Sequence, residues 1–137
     1  MIRKRIWIGK WRVDFIFAPD GYDKEEVLSR LSRLGASDKD ILRIREVIDN
    51  HEKNTGFTFV SPYESTILVA VGPTTSGSEF VNTISHEMYH LAVAIADDLN
   101  IDLFGEGPAY LTGDTLQSLV DVICRLGCTK CNHSDTF

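Results

Sequence analysis

This chain has few cysteines, no long apolar runs and no excess of positive charge. Its 137 residues include only three cysteines, an odd and small number for a disulfide-stabilised secreted domain. No segment approaches the roughly 18 apolar residues of a membrane span, and charged residues interrupt the N-terminal segment where a signal peptide would have its apolar core. We therefore expect a cytoplasmic protein that makes no membrane contact. Its length and its apolar content of 43% suit one domain, residues 1–137.

The charge balance limits the classes of partner. Twenty acidic residues outweigh 14 basic ones, which leaves a net charge of -6 and argues against nucleic acid as a partner. Basic residues nevertheless cluster near the N-terminus. We interpret this cluster as the charged face of a strand; its members are Arg3, Lys4, Arg5, Lys10 and Arg12.

Two pairs of strands are predicted from β-branched and aromatic residues bounded by turn residues. The first pair lies at 5–8 and 11–17. The second pair, at 56–61 and 65–72, flanks a Pro-Tyr-Glu turn and predicts a hairpin. The segment 66–71 is rich in Ile, Val and Leu, which fits equally an exposed edge that pairs with a peptide and a buried strand of a small α+β domain.

Two short helices are predicted between these strand pairs, at about 24–34 and 38–53, from apolar residues recurring at threes and fours. Two consecutive helices also occur in helix-turn-helix DNA readers. Acidic residues on both helices favour scaffold helices that cover the sheet instead. Both starts have capping-box-like spacing, Asp23 with Glu26 and Ser37 with Asp40.

Residues 86–90 read His-Glu-Met-Tyr-His, an HExxH motif within a predicted helix at 78–99. Two histidines four positions apart lie on one helical face, about 5–6 Å apart at Cβ, so both imidazoles can reach one zinc ion. Glu87 is then the candidate general base, and His86 and His90 are candidate ligands. The alternative is a chance match. It is disfavoured because an apolar stripe and a capping-box start, Ser76 with Glu79, support the helix.

A catalytic zinc usually has three protein ligands, so a third is sought downstream. Asp97 and Asp98 lie about 10 Å further along the same helix and are too far away. Asp102 and Glu106 remain, because Asn100 can end the helix in a left-handed conformation and let the chain turn back. We favour Glu106, which opens a second predicted helix reaching about residue 126; the alternative is an ordinary acid in a first helical turn.

His86, Glu87, His90 and the downstream Glu106 together resemble a minimal gluzincin, a zinc metallopeptidase with HExxH and a later glutamate. The resemblance covers roughly residues 56–126 and is most similar to small peptidases of phages and mobile elements. It implies zinc on the two histidines and Glu106, with Glu87 as general base. It also implies an edge strand beside the motif helix, along which an extended substrate is laid.

These expectations give the fold class as α+β, with an antiparallel or mixed sheet packed against the HExxH helix and a following helix that carries Glu106. The chain departs from larger gluzincins at the fourth residue after the glutamate ligand, where they have an acid and this sequence has Tyr110. Tyr110 shares a helical face with Glu106 and is our candidate for stabilising the oxyanion, although a packed tyrosine is an equal alternative. Other candidate donors are His51, Arg125 and His133.

The C-terminal tail contains a second group of metal-ligand residues, Cys124, Cys128, Cys131 and His133. A closed Cys₃His zinc site is one interpretation, but a single C-x-x-C is a weak signal. Free thiols on a chain terminus are the commoner outcome in a cytoplasmic protein.

The predicted function is hydrolysis of peptide bonds in a peptide or protein substrate, with Zn²⁺ as cofactor and Glu87 as proton acceptor. One alternative is a zinc hydrolase of a non-peptide amide. Deformylases use HExxH in this way, but they take a cysteine ligand from upstream, and no cysteine precedes His86. The other alternative is a non-catalytic scaffold that binds zinc or a partner.

Overall fold

A computed structural model describes residues 1–128 and shows a four-stranded sheet with helices on both faces. The strands are β1 (Ile2–Ile8), β2 (Trp11–Phe17), β3 (Gly56–Ser61) and β4 (Thr66–Val71). Their order in the sheet is β1-β2-β4-β3. The β1–β2 and β3–β4 pairs are antiparallel and β2–β4 is parallel, so the sheet is mixed and the predicted α+β class is confirmed.

The hairpin β3–β4 is confirmed, and it settles which of its strands forms an edge. All six residues of β4 are buried, because this strand lies between β2 and β3. The segment 66–71 is therefore an interior strand, and the alternative of an exposed edge there is wrong. The edge is β3, which within the described sheet pairs only with β4.

Two helices, α1 (Lys24–Arg33) and α2 (Asp38–Asp49), cover one face of the sheet. Both predicted caps form: the Asp23 carboxylate accepts from the Glu26 N–H, and the Ser37 hydroxyl accepts from the Asp40 N–H. The second helix ends four residues earlier than predicted, because Asn50 caps it and His51 adopts a left-handed conformation with φ of 51°.

The other face carries α3 (Gly77–Asp98), α4 (Gly107–Ser118) and α5 (Val120–Cys128). The predicted apolar stripe of α3 is buried against the sheet at Phe80, Ile84, Met88, Leu91 and Ile95. Its last predicted member, Leu99, is exposed because it caps the helix end instead of lying within the helix.

The loop after α3 ends the helix as its sequence predicts. Asn100 is left-handed with φ of 53°, and the N–H groups of Asn100 and Ile101 donate to the carbonyls of Asp97 and Ala96. These two bonds form a Schellman motif, which satisfies the last helical carbonyls. The chain therefore reverses after residue 99, and α4 packs against α3.

The predicted helix from Glu106 to about residue 126 is two helices. The break falls at Leu119, which caps α4 with φ of -107° and ψ of 6°. The break changes the helical phase, so Val122 is buried where the uninterrupted pattern predicted Val120, which is exposed. No helix in the described part of the chain is long and apolar enough to cross a membrane.

Candidate active site

The HExxH motif lies in the middle of α3, and the phase of the helix decides where each of its side chains points. Met88 and Leu91 are buried in the core between α3 and the sheet. Glu87 is also buried, with 3% of its surface exposed. His86 and His90 are exposed on the neighbouring helical face. The helix thus fixes an acid beneath a pair of accessible imidazoles.

The two histidines are brought together as the four-residue spacing predicts. The distance between His86 Nε2 and His90 Nε2 is 3.1 Å, and the ring planes are inclined at 71°. Two nitrogens bound at about 2.0–2.1 Å to one tetrahedral zinc ion lie about 3.3 Å apart. The pair therefore fits two adjacent ligand positions of such an ion.

The carboxylate of Glu87 is held by the edge strand. The hydroxyl of Thr58, in the middle of β3, donates to Glu87 Oε2 at 2.6 Å. A hydrogen bond to a charged carboxylate is about twice as strong as one between neutral groups, so it fixes the orientation of the acid. Within the described residues, no lysine or arginine forms an ion pair with Glu87. Neither oxygen of this buried acid therefore has a cationic partner among the described residues.

A glycine in β3 allows this close approach of helix and strand. A Cβ atom at Gly56 would lie 2.6 Å from the Ala70 carbonyl oxygen and 3.0 Å from Glu87 Cγ. Any other residue at position 56 would collide with backbone or displace the acid. The absence of a side chain at Gly56 is thus part of the site geometry.

Tyr22 is a further group near the acid. Burial raises the pKa of its phenol, and the negative charge of Glu87 raises it further. Its hydroxyl is buried without a hydrogen-bond partner in the described part of the chain, and its ring packs against Phe57 at 6.3 Å between centroids. Tyr22 therefore remains a neutral phenol near the acid, although it lines a separate cleft.

Two clefts meet at the motif. One, of about 250 Å³, lies toward the start of β3 and is lined by residues 54–56, Asn82, Thr83, His86 and Glu87. The other, of about 300 Å³, contains both histidines and Glu87 and extends over β3 to Arg43, Ile44 and Val47 of α2. Together they form a continuous groove along the edge of the sheet, because both are lined by Thr55, Gly56, His86 and Glu87.

The outer edge of β3 presents to this groove backbone groups that no other described strand pairs with. The Gly72 N–H donates to the Thr55 carbonyl, so the alternation of antiparallel pairing directs odd-numbered residues of β3 toward β4. The N–H and C=O groups of Gly56, Thr58 and Val60 therefore point away from the sheet. An extended peptide could pair with them as an additional strand.

The third predicted ligand is not grouped with the histidines. Glu106 is exposed at the N-cap of α4, and its side chain makes no capping hydrogen bond. Among the described residues, no three His, Cys, Asp or Glu side chains form a group that could hold a metal ion. Asp102 instead accepts a hydrogen bond from the Phe104 N–H within the loop. The structure thus forms the histidine pair and leaves Glu106 apart from it, one loop away in sequence and on the helix adjacent to α3.

The remaining candidates are distributed as follows. Tyr110 is 67% exposed on α4, so it is not the packed tyrosine of the alternative interpretation. His51 lies outside the groove, in a separate cleft with Tyr22, and Arg125 is exposed on α5. Cys124 is an exposed free thiol. The predicted second zinc site also needs the side chain of residue 128 and residues 131 and 133, which lie outside what the structure describes.

Sequence reasoning missed Thr58, Gly56 and Tyr22. A glycine opening a strand marks a close backbone approach, and this signal was available for Gly56. Thr58 alternates with Phe57 and Phe59, a pattern that indicates the opposite face of the strand but not the partner. Nothing in the local sequence of Tyr22 indicates its proximity to Glu87.

Comparison with known proteins identifies no family for this chain. The chain matches no protein-family model, no curated protein and no solved structure.

Proposed function

We propose that this chain is a small zinc-dependent metallopeptidase of the gluzincin type that cleaves an extended peptide. The observation that carries the proposal is the position of Glu87, a buried carboxylate held between an accessible histidine pair and the edge strand β3. A general base must lie within hydrogen-bond reach of the proton it accepts, and Glu87 lies at the base of the groove where a substrate would lie.

The proposed metal ligands are His86, His90 and Glu106. The histidine nitrogens have the separation that one zinc ion requires, and Glu106 opens the helix that packs against α3. When bound, zinc would polarise the scissile carbonyl and acidify water. Completion of the ligand set needs the exposed Glu106 side chain to approach the histidines, which the loop between α3 and α4 would have to permit.

The other steps belong to side chains and backbone of the chain itself. The backbone of β3 would align the substrate by strand pairing, and Glu87 would accept a proton from the attacking water and return it to the leaving amine. Thr58 would hold the second carboxylate oxygen so that the free oxygen faces the groove. Tyr110 is the proposed donor to the developing oxyanion.

Zinc titration of the full chain and of single variants tests the ligand set. We expect one tightly bound zinc in the groove, and His86→Ala and Glu106→Ala should each weaken it by at least about tenfold. His51→Ala and Asp114→Ala are matched controls, because His51 lies outside the groove and Asp114 is an exposed acid on α4. Both controls should bind zinc as the native chain does.

The outcomes separate the alternatives. Unchanged affinity in Glu106→Ala would transfer the third-ligand role to Asp102 or to His133. Cleavage profiling of the zinc-loaded protein on a peptide library tests the activity itself. Zinc binding without cleavage would favour a non-catalytic scaffold, and cleavage of non-peptide amides alone would favour the other hydrolase class.

A further inference from the structure

A cleft rich in arginine lies on the sheet face opposite the histidine pair. It has a volume of about 350 Å³ and is bounded by β1, β2, α1 and the β3–β4 turn. Val13 and Phe15 of β2 face α3, so the alternating residues Arg12 and Asp14 face α1. Its charged lining residues are Arg5, Arg12, Asp14, Arg30, Arg33 and Glu64. The cleft is therefore separate from the proposed active site, and a role for it does not depend on the proposed peptidase activity.

The internal ion pairs of this cleft use only part of its positive charge. Asp14 receives hydrogen bonds from Arg5 Nε at 2.6 Å and Arg5 Nη2 at 3.1 Å. Arg12 Nε and Arg30 Nη1 approach the same carboxylate at 3.4 and 3.6 Å. Arg30 Nη2 also donates to Glu26 at 3.1 Å, an acid outside the cleft lining that pairs with Arg3 as well. Among the lining residues, two acids thus face four arginines, in a chain whose net charge is -6.

Several guanidinium donors in the cleft have no acceptor. The Nε atoms of Arg12 and Arg30 are buried without a hydrogen-bond partner among the described residues. Arg33 makes one weak bond, from Nε to the Ser29 carbonyl at 3.5 Å. Each guanidinium has five N–H donors, and an unsatisfied donor near a low-dielectric interior costs free energy. The cleft therefore has fewer acceptors than guanidinium donors, and fewer negative than positive charges.

We propose that this cleft binds the phosphate group of a small phosphorylated molecule. A phosphate offers several acceptor oxygens in the geometry that guanidinium forks bind in bidentate fashion. Its charge of nearly -2 matches the excess of two arginines over acids, which a single carboxylate would not. The cleft volume lies within the range of small-molecule sites, about 300–1,000 Å³. The acidic chain as a whole disfavours a longer polyanion.

Calorimetric titration with inorganic phosphate and with pyrophosphate, at ionic strength held constant with chloride, tests this proposal. We expect saturable binding of both probes to the full chain. Arg12→Gln and Arg33→Gln should each weaken it by about tenfold or more, because each removes a charged hydrogen bond. Arg45→Gln is the matched control, since Arg45 is exposed on α2 and does not line the cleft.

Arg33→Gln keeps the test decisive if the other variant folds poorly, because within residues 1–128 the Arg33 side chain makes only its weak bond to Ser29. Equal binding in the native chain and Arg33→Gln, or an equal loss in Arg45→Gln, would overturn the proposal. So would the absence of saturable binding above the chloride background. Tighter binding of a single-stranded oligonucleotide than of pyrophosphate would replace the small ligand by a nucleic acid and would also overturn it.

Discussion

Glu87 and Asp14 are both buried acids, with 3% and 5% of their surface exposed, yet their surroundings differ in kind. Asp14 lies among three arginines, and its two oxygens accept ion-pair contacts from all of them. Glu87 has one neutral hydroxyl donor, from Thr58, and no ion pair within the described residues. A buried charge that is fully paired stabilises one arrangement of the chain. A buried acid that borders a groove and has no cationic partner has the placement that the proposed general-base role of Glu87 needs.

The largest expected difference between the two acids is in catalysis. Glu87→Gln preserves size and the hydrogen bond from Thr58 but removes the proton acceptor, so we expect peptide cleavage to fall by about 10²–10⁴-fold. Zinc affinity and the melting temperature should change little. Steady-state kinetics with zinc titration on the same preparation provides the measurement. Loss of zinc together with activity would show that Glu87 acts as a ligand instead.

Asp14→Asn should have the opposite profile. It removes the counter-charge of Arg5 and Arg12, whereas Arg30 keeps its bond to Glu26, and we expect a loss of about 1–3 kcal/mol in the free energy of unfolding. The loss should lie toward the lower end of this range, because solvent screens the charges of the partly exposed arginines. Urea denaturation measures this loss of stability, and Asp97→Asn is the control because Asp97 is exposed. Cleavage should remain normal at a temperature where the variant is folded, and a selective loss of cleavage would contradict the separation of the two regions.

Thr58→Val isolates the single hydrogen bond of Glu87, because valine has the shape of threonine without the hydroxyl. The buried carboxylate would lose its hydrogen-bond donor, which should lower the free energy of unfolding by about 1–3 kcal/mol. Cleavage should fall by about tenfold through misorientation of the acid. Thr58→Ser restores the hydroxyl and should recover most of the rate. Equal rates in Thr58→Val and the native chain would show that Thr58 does not position Glu87.

The smallest effect is expected from the ion pairs next to Asp14. The hydrogen bond from Arg3 lowers the pKa of Glu26 from 4.5 to about 2, and Arg30 adds to this effect. A carboxyl whose pKa is lowered on folding stabilises the fold above its unfolded pKa. This stability is lost as the pH falls from about 5 to about 2. Because these side chains are partly exposed, the loss should be below about 1 kcal/mol. Glu26→Gln should flatten this part of the acid denaturation curve, and an unchanged curve would contradict it.

Local signals predicted most of the scaffold. The caps at Asp23, Ser37 and Ser76 depend on hydrogen bonds over three residues, and all three form. The left-handed Asn100 is equally local. Strand order is not a local property, because it depends on pairing between strands that lie far apart in the sequence. The sequence of β4 therefore left its place in the sheet undecided, and the break at Leu119 was missed because apolar spacing continues through it.

The candidate site divides in the same way. The proximity of His86 and His90 follows from helical geometry alone, and the pentapeptide is sufficient to predict it. The bond between Glu87 and Thr58 joins elements 29 residues apart in sequence, and no pattern within either element encodes it. The position of Glu106 relative to the histidines depends on the loop between α3 and α4, for which helical spacing offers no rule. The assignment of Glu106 as a ligand stays a prediction.

The open edge of β3 limits which molecules the proposed peptidase could process. Six residues at about 3.3 Å each give a pairing edge of about 20 Å. A segment can pair along that length only if its own backbone groups are free, which excludes polypeptides already engaged in stable helices or sheets. The proposed peptidase would therefore act on nascent, damaged or unfolded chains and not on intact folded proteins, whatever their side chains.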